Sequence, residues 1–442
     1  MPRIIILDIY RKTSYRISKD TSGGYGTGND FGEGLIPFLL KRRLKYISDW
    51  PPLFAAYTHA ILKKKYKTVD FKKINSFDEI KNHIENFDYF IIVSSIVCCE
   101  TELNLINELY KRKKKCIAIG PFSSNKPELY IKSGASVIMG EPENFFFHED
   151  ISTIGTSPKK ISLTNDIDLN SLPLPQWNIL LNLNKIKLYG EYKAIPIIAT
   201  RGCPYSCFRY CVYPLQQGRT VRQRSPLKIF NEIEYWHKNF AVKLFIFRDP
   251  VFSINRKHTI ELCEIIIKSN INIKFVIETH LKILDEELID ILKKAGLIYV
   301  KVGIENADEE ILKNEKRFSV KKDDQLDKIS LLKKKKIGIS AMYILGFPTD
   351  NEESIKKTIS YAIKLNTEYA QFSIWTPYPG TPVFKEFKDI ITVKNYENFD
   401  QYRLTFKHKN LTYKQLRKFL SIAYKNYYSR ISWIASYVLK KR

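Results

Sequence analysis

The stretch Arg201-Gly202-Cys203-Pro204-Tyr205-Ser206-Cys207-Phe208-Arg209-Tyr210-Cys211 decides how the rest of the chain is read. Three of the seven cysteines fall between Cys203 and Cys211. Three thiolates so close together on one chain can hold one metal centre. Tetrahedral zinc usually takes four ligands, and neither a fourth Cys nor a His lies within about ten residues on either side. Iron–sulfur clusters are also held by closely spaced thiolates, commonly four. Three thiolates leave one iron with an open position, which points to chemistry more than to structure. A free-thiol loop or an incomplete zinc knuckle is the plainer alternative.

A chain of 442 residues, 44% of them hydrophobic, is long enough for two or three globular domains. No run approaches the ~18 apolar residues of a membrane span. Residues 1–10 carry Asp8 inside their apolar run and offer no small-residue cleavage site, so they do not read as a secretory signal. A clustered, odd set of cysteines reads as metal chemistry in a reducing, cytoplasmic setting and not as a disulfide framework. The net charge of +25 has two readings: a basic surface for nucleic acid or anionic lipid, or a compositional bias toward lysine. The lysines are spread along the chain, which favours bias.

On the N-terminal side of the cysteine loop, residues 3–9 form a short apolar strand. A segment containing Gly23, Gly24, Gly26, Gly28, Gly32 and Gly34 follows. It lacks both the dinucleotide fingerprint and the Lys-Ser/Thr of a P-loop, so it reads as a flexible turn region. Helices are predicted over 35–44 and 52–64. Strands at 68–71, 89–97, 116–119 and 136–139 then alternate with helices at 77–86, 101–114 and 126–133. This pattern predicts a Rossmann-like open parallel sheet. Ligands of such sheets bind beyond the carboxyl ends of the strands, here at Ser94-Ser95, Gly120-Pro121 and Gly140-Glu141. Residues 151–188, with Pro173 and Pro175, read as a linker. A second alternation has strands at 195–199, 243–247, 273–278, 298–304, 338–345 and 369–376, with helices between them, and suits a partial (β/α)6 barrel. The cysteine loop follows its first strand, at the mouth where such barrels keep their chemistry. The predicted division is 1–150 for the N-terminal sheet, 151–188 for the linker, 189–390 for the barrel and 391–442 for a basic helical region.

The cysteine stretch resembles the signature of radical S-adenosylmethionine (radical SAM) enzymes. Gln217-Gly218-Arg219, Arg222-Gln223-Arg224-Ser225-Pro226, Phe247-Arg248-Asp249-Pro250 and Thr376-Pro377-Tyr378-Pro379-Gly380-Thr381 resemble the subgroup with an N-terminal cobalamin-binding domain. The sheet ending in Gly140-Glu141-Pro142-Glu143 fits that subgroup too. The resemblance implies that Cys203, Cys207 and Cys211 bind a [4Fe–4S] cluster whose fourth iron takes S-adenosylmethionine, which is cleaved to a 5′-deoxyadenosyl radical. It further implies that Gly303 and Glu305 lie at the cofactor's ribose, Gly346 and Pro348 near its adenine, and Tyr210 beside the adenine. Ser94, Ser95, Gly120, Gly140 and Glu141 would face cobalamin. The family's usual spacing is Cys-x3-Cys-x2-Cys; here the second gap holds three residues, so Phe208 or Arg209 is extra. The Asp-x-His-x-x-Gly pattern that gives cobalt a histidine is absent. With cobalamin, the implied reaction is methyl transfer to an unactivated centre. The alternatives are a cobalamin-independent radical cyclisation or rearrangement, and a basic RNA- or membrane-binding protein with a degenerate cluster loop.

The implied partners are a small-molecule or lipid-linked substrate and an electron donor such as flavodoxin or ferredoxin; nucleic acid is not expected. Residues 400–442 hold eleven Lys/Arg and one acid, Asp400. They read either as a closing helix packed on the barrel or as a peripheral contact with an anionic membrane. The residues name no general acid or base.

Overall fold

Two parallel sheets carry the chain, and their strand ends meet at the cysteine loop. The structure is a computed structural model that describes residues 1–44, 50–162, 167–189 and 192–439. The first sheet holds β1 (Arg3–Ile9), β2 (Thr68–Ile74), β3 (Tyr89–Val93), β4 (Lys115–Ile119), β5 (Ala135–Ile138) and β6 (Lys160–Ile161). Their order is β2-β1-β3-β4-β5-β6, all parallel, with the switch point between β1 and β3. β1 and β3 are near-continuous apolar runs because α1 (Leu53–Lys65), α2 (Cys99–Lys111) and α3 (Pro127–Ser133) cover the sheet. At its centre the buried Lys19 ammonium lies 2.9 Å from Glu102 and 3.3 Å from Asp8.

The second sheet holds β7 (Tyr192–Ile197), β8 (Leu244–Phe247), β9 (Lys274–Glu278), β10 (Leu297–Glu305), β11 (Gly338–Leu345) and β12 (Tyr369–Ile374), side by side in sequence order and all parallel. The two-residue strand Lys187–Leu188 pairs antiparallel with β7. Helices α4 (Pro226–Phe240), α5 (Arg256–Lys268), α6 (Glu286–Ala295), α7 (Lys322–Lys334) and α8 (Glu352–Leu365) return the chain between strands. Helix α6 shows why these segments are helical. Asp285 accepts from the Leu288 N–H, acids fill the first turn, lysines fill the last, and Gly296 ends the helix at φ 113°.

Alternation along β10, β11 and β12 separates the two faces. Val300, Val302 and Ile304 pack outward with Ala341, Tyr343, Phe372 and the helices. The intervening residues face the concave side, which is only half-buried. This is the fold class expected: an open parallel sheet plus a six-stranded part-barrel.

The free edge of β12 is closed by side chains. In α9 (Tyr413–Tyr428) the Tyr424 hydroxyl accepts from the Phe372 N–H (3.0 Å) and donates to the Phe372 carbonyl (2.8 Å). One turn on, Tyr428 does the same at Ala370, at 3.0 and 2.7 Å. Two tyrosines at i and i+4 thus stand where a seventh strand would bond. Helix α10 (Ile431–Leu439) follows; Lys440–Arg442 and Asp166 lie outside the described residues.

Several local expectations change. The helix expected at 77–86 is two 3-10 turns. The strand expected over 89–97 ends at Val93, because Ile96–Cys98 turns to start α2. The glycine-rich segment is buried and packed from Gly23 to Gly28 and at Gly32, and of its glycines only Gly34 lies exposed with open space beside it. A Cβ at Gly24 would meet Pro121 at 2.8 Å, and one at Gly26 would meet Val97 at 2.7 Å, both at positive φ.

Replacing Tyr424 and Tyr428 together by Phe strips partners from two N–H and two C=O groups. The double variant should lose about 2–4 kcal/mol, read as a lower urea midpoint. Tyr413→Phe, on the exposed face of the same helix, should leave the midpoint unchanged.

Candidate functional site

β7 runs on into Thr200–Arg201, which pairs antiparallel with Arg222–Gln223 and closes the base of the cysteine loop. Just beyond β8, the buried Asp249 carboxylate accepts from the Ala199 N–H at 3.1 Å and from the Thr200 N–H. Burial pushes the Asp249 carboxyl up to about 6, against the pull of those donors. Gly202 sits at φ 93°, where a Cβ would lie 2.0 Å from the Thr220 carbonyl oxygen, so only glycine fits.

Cys207 lies in a 3-10 turn over Ser206–Arg209, and the Cys211 N–H donates to the Cys207 carbonyl at 3.0 Å. That i to i+4 turn absorbs the extra residue in the second gap and keeps both cysteines on one side of the loop. Both candidates for the extra residue are engaged elsewhere. Arg209 pairs with Glu386 and lies 3.5 Å from Glu315, while the Arg219 guanidinium covers the Phe208 ring at 4.4 Å. Cys203 and Cys207 are buried, Cys211 is half-buried, and none is in a disulfide. Burial is the main cause that pushes all three thiols up; Cys207 raises Cys203 and Cys211 further, and Arg317 opposes the rise at Cys203 and Cys207.

Among the described residues no three His, Cys, Asp or Glu side chains converge on one metal ion. The donor set of the loop is three cysteine sulfurs, the ligand type an iron–sulfur cluster takes, one thiolate to each iron.

Across the mouth, Gly303-Ile304-Glu305 ends β10 in a register shift, with Glu305 at φ 67°. A non-glycine residue in that conformation is strained, as is common at functional sites. The conformation is tied down by Arg317, a residue for which no sequence signal was read. The Arg317 guanidinium lies 3.3 Å from Glu305, donates to the Gly303 carbonyl at 3.2 Å and reaches the Cys207 sulfur at 3.8 Å. A Cβ on Gly303 would fall 2.5 Å from the Glu305 carboxylate and 2.9 Å from Arg317, so this glycine makes room for the pair. Burial pushes the Glu305 carboxyl up, and Arg317 opposes it.

Beyond β11, buried Asp350 accepts from the Gly346 and Phe347 N–H groups, each at 2.9 Å, and so shapes the Gly346-Phe347-Pro348 turn. Pro348 is half-buried. The Tyr210 ring meets Phe347 edge-on at 6.0 Å, and its buried hydroxyl has no hydrogen-bond partner among the described residues. His280 accepts from the Lys282 N–H and contacts the Phe318 carbonyl at 2.6 Å, a strand-end cap.

On the N-terminal sheet, the five residues singled out divide. Ser94 bonds Ser123 at 2.9 Å, Ser95 bonds Glu102 at 2.8 Å, and Gly120 lies against Phe54. All three are buried. Gly140 has open space beside it. Glu141 joins the two sheets. It takes both arms of Arg222, at 2.6 and 2.9 Å, and lies 3.1 Å from buried Arg201, which also reaches Glu143 at 2.6 Å. Between the sheets a crevice is lined by Gly23, Gly24, Phe54, Glu141, Tyr213 and Arg248, among others.

Residues 197–362 match the radical SAM superfamily. The chain is 24% identical to an uncharacterized methyltransferase of Pyrococcus horikoshii, over 86% of this chain and 88% of that one. It is 27% identical to the bacteriochlorophyllide d C-12(1)-methyltransferase of Chlorobaculum tepidum, over 80% and 77%. Among solved structures it resembles the radical S-adenosylmethionine methyltransferase TsrM of Kitasatospora setae, with a TM-score of 0.66, 15% identity, and 88% and 76% of the two chains covered. It also resembles the cobalamin-dependent S-adenosylmethionine radical enzyme OxsB, with a TM-score of 0.60, 14% identity, and 96% and 56% covered. The cysteine loop at the mouth of a six-stranded part-barrel lies within the matched residues: residues 197–362 carry a radical SAM domain, and the chain as a whole resembles in fold a cobalamin-dependent radical enzyme.

Proposed function

We propose that the chain cleaves S-adenosylmethionine at a [4Fe–4S] cluster on Cys203, Cys207 and Cys211 and methylates a small-molecule substrate held between its two sheets. The observation that carries this is the placing of three thiols, two buried and one half-buried, outside any disulfide on one short loop whose Cys207 sulfur lies 3.8 Å from the Arg317 of the Arg317–Glu305 pair. When bound, the cluster supplies the electron that breaks the cofactor's carbon–sulfur bond. The protein's residues orient that cofactor. Arg317 offers a buried cation to its carboxylate, with charge-assisted bonds of the stronger kind. Glu305 and Gly303 would take the ribose, and Tyr210 with the turn at Gly346 and Pro348 would flank the adenine. Phe347 and Tyr210 exclude water from that side.

Cobalamin is the methyl carrier in this reading. It would lie in the crevice between the sheets, beside Gly140 and the glycine-rich loop. Ser94, Ser95 and Gly120 do not line that crevice, and among the described residues no histidine lines it. The division at 150, 188 and 390 is part of the proposal, as is an electron donor of the flavodoxin or ferredoxin type. No helix among the described residues is long and apolar enough to cross a membrane. A peripheral contact is supported by Ile431 and Ile434, 86% and 45% exposed, although Trp433 between them donates to the Glu368 carbonyl on the barrel.

Anaerobic reconstitution of the wild type with iron and sulfide should give the broad visible absorbance of a cluster. Adding S-adenosylmethionine and a reductant should then release 5′-deoxyadenosine. Changing Cys203, Cys207 or Cys211 singly to Ala should abolish both; a triple variant that keeps its iron would refute the ligand assignment. Arg317→Met should weaken S-adenosylmethionine binding about 10–100-fold by equilibrium dialysis, the worth of a charge-assisted bond. Hydroxocobalamin should stay with the wild type through gel filtration. A chain that sheds it yet still cleaves S-adenosylmethionine would move the reading to cobalamin-independent chemistry.

A further inference from the structure

The concave face of the barrel is layered. Trp50, Ala194, Leu244, Ile246, Val276 and Tyr299 form an apolar floor. Inward positions recur every second residue along a strand, so the next ones toward the mouth are Arg248, Glu278 and Lys301. The register agrees: Ile246 pairs with Val276, and Glu278 pairs with Lys301. These three side chains make one polar row between the floor and the level of Glu305.

Arg248 is committed. It donates to the Asp20 carbonyl at 2.7 Å and lies 3.5 Å from the Asp20 carboxylate. Glu278 and Lys301 differ. They sit opposite each other on strands about 4.8 Å apart, are half-buried, and yet neither side chain makes a hydrogen bond or ion pair with any described residue. An ammonium and a carboxylate so placed would ordinarily bond each other or the protein. Electrostatically both belong to the mouth and to each other: Glu278 is felt by Glu305 and Tyr213, and Lys301 feels Arg248, Glu278, Asp20 and Arg16. Burial, helped by Arg248 and opposed by Glu278 and Asp20, brings the Lys301 ammonium down to about 8.

We infer that Lys301 and Glu278 anchor the substrate, which is a small molecule presenting an anionic group to Lys301 and an ammonium to Glu278, as an amino acid or its derivative does. The inference rests on the radical SAM reading and narrows its substrate class. Arg317, beside Glu305, is the cation proposed for the cofactor's own carboxylate, which leaves the deeper pair for a second molecule. A polar anchor above an apolar floor would hold such a molecule by its charged end and leave its body to be packed by side chains.

The test uses three probes on the reconstituted, S-adenosylmethionine-loaded enzyme: L-phenylalanine, which carries both charges, and 3-phenylpropionate and phenethylamine, which carry one each. Binding is followed by calorimetric titration. The wild type should bind L-phenylalanine more tightly than either half. Lys301→Met should lose 3-phenylpropionate about tenfold or more while keeping phenethylamine, and Glu278→Gln should do the reverse. The selective retention shows that each variant is folded. If Lys301→Met loses all three probes, Lys301→Arg decides: restored 3-phenylpropionate binding supports the anchor, and no restoration overturns it. Wild type that binds none of the probes, or variants that bind all three as wild type does, overturn it as well. Cleavage of S-adenosylmethionine by the wild type is measured alongside. Its absence sinks the underlying reading, whereas its persistence with silent probes sinks this inference alone.

Discussion

Four charges clustered at one point hold the two sheets in register: Arg201 and Arg222 from the base of the cysteine loop, Glu141 and Glu143 from the end of β5. Burial works against the Arg201 charge, and the two glutamates outweigh it and hold the guanidinium well above its ordinary range. Removing one member of such a group would leave another buried without compensation, at about 3–5 kcal/mol. The geometry of the loop therefore depends on a sheet more than fifty residues upstream. A barrel cut away from its N-terminal partner would keep its strands but lose the footing of its cysteines.

The same logic recurs at the opposite wall. Gly303 leaves room for Arg317, Arg317 pins Glu305 in a left-handed conformation, and Ser206 donates to the Lys316 carbonyl at 2.8 Å to tie the cysteine turn to that wall. Two independent tethers thus grip one loop, from the first sheet and from β10. Catalytic geometry of this kind needs support on both sides, because a loop alone does not hold its side chains to within a fraction of an ångström.

The strands were legible in the sequence because their constraint is local. Val300, Val302 and Ile304 alternate with Lys301, Gly303 and Glu305, and that alternation is the half-barrel written in residues. The cysteine loop was legible because its residue types are scarce. Arg317 and the Arg201–Glu141 contact were not legible: one is a loop residue with no period, the other a pairing between distant segments. Glu141, expected at a cofactor, lines the crevice between the sheets and is at the same time engaged by Arg201 and Arg222, since strand-end position says that a residue is near the site and not what it touches. The glycine-rich segment looked mobile because glycine supplies both flexibility and close approach, and only packing tells which applies. Residues 77–86 have helical residue types but too few buried contacts, with Ile84 alone buried in the second turn, to sustain more than 3-10 geometry.

Hydroxyl groups in place of a seventh strand give the barrel a seam. Tyr424 and Tyr428 quench the backbone of β12 so that no neighbouring sheet can add to it, yet the hydroxyls do not close the ring as two more strands would. A full eight-stranded ring admits molecules only through its ends. A ring left unfinished has two edges instead, and here one of them, β12, is capped by α9 while the other, β7, carries only the two-residue strand Lys187–Leu188.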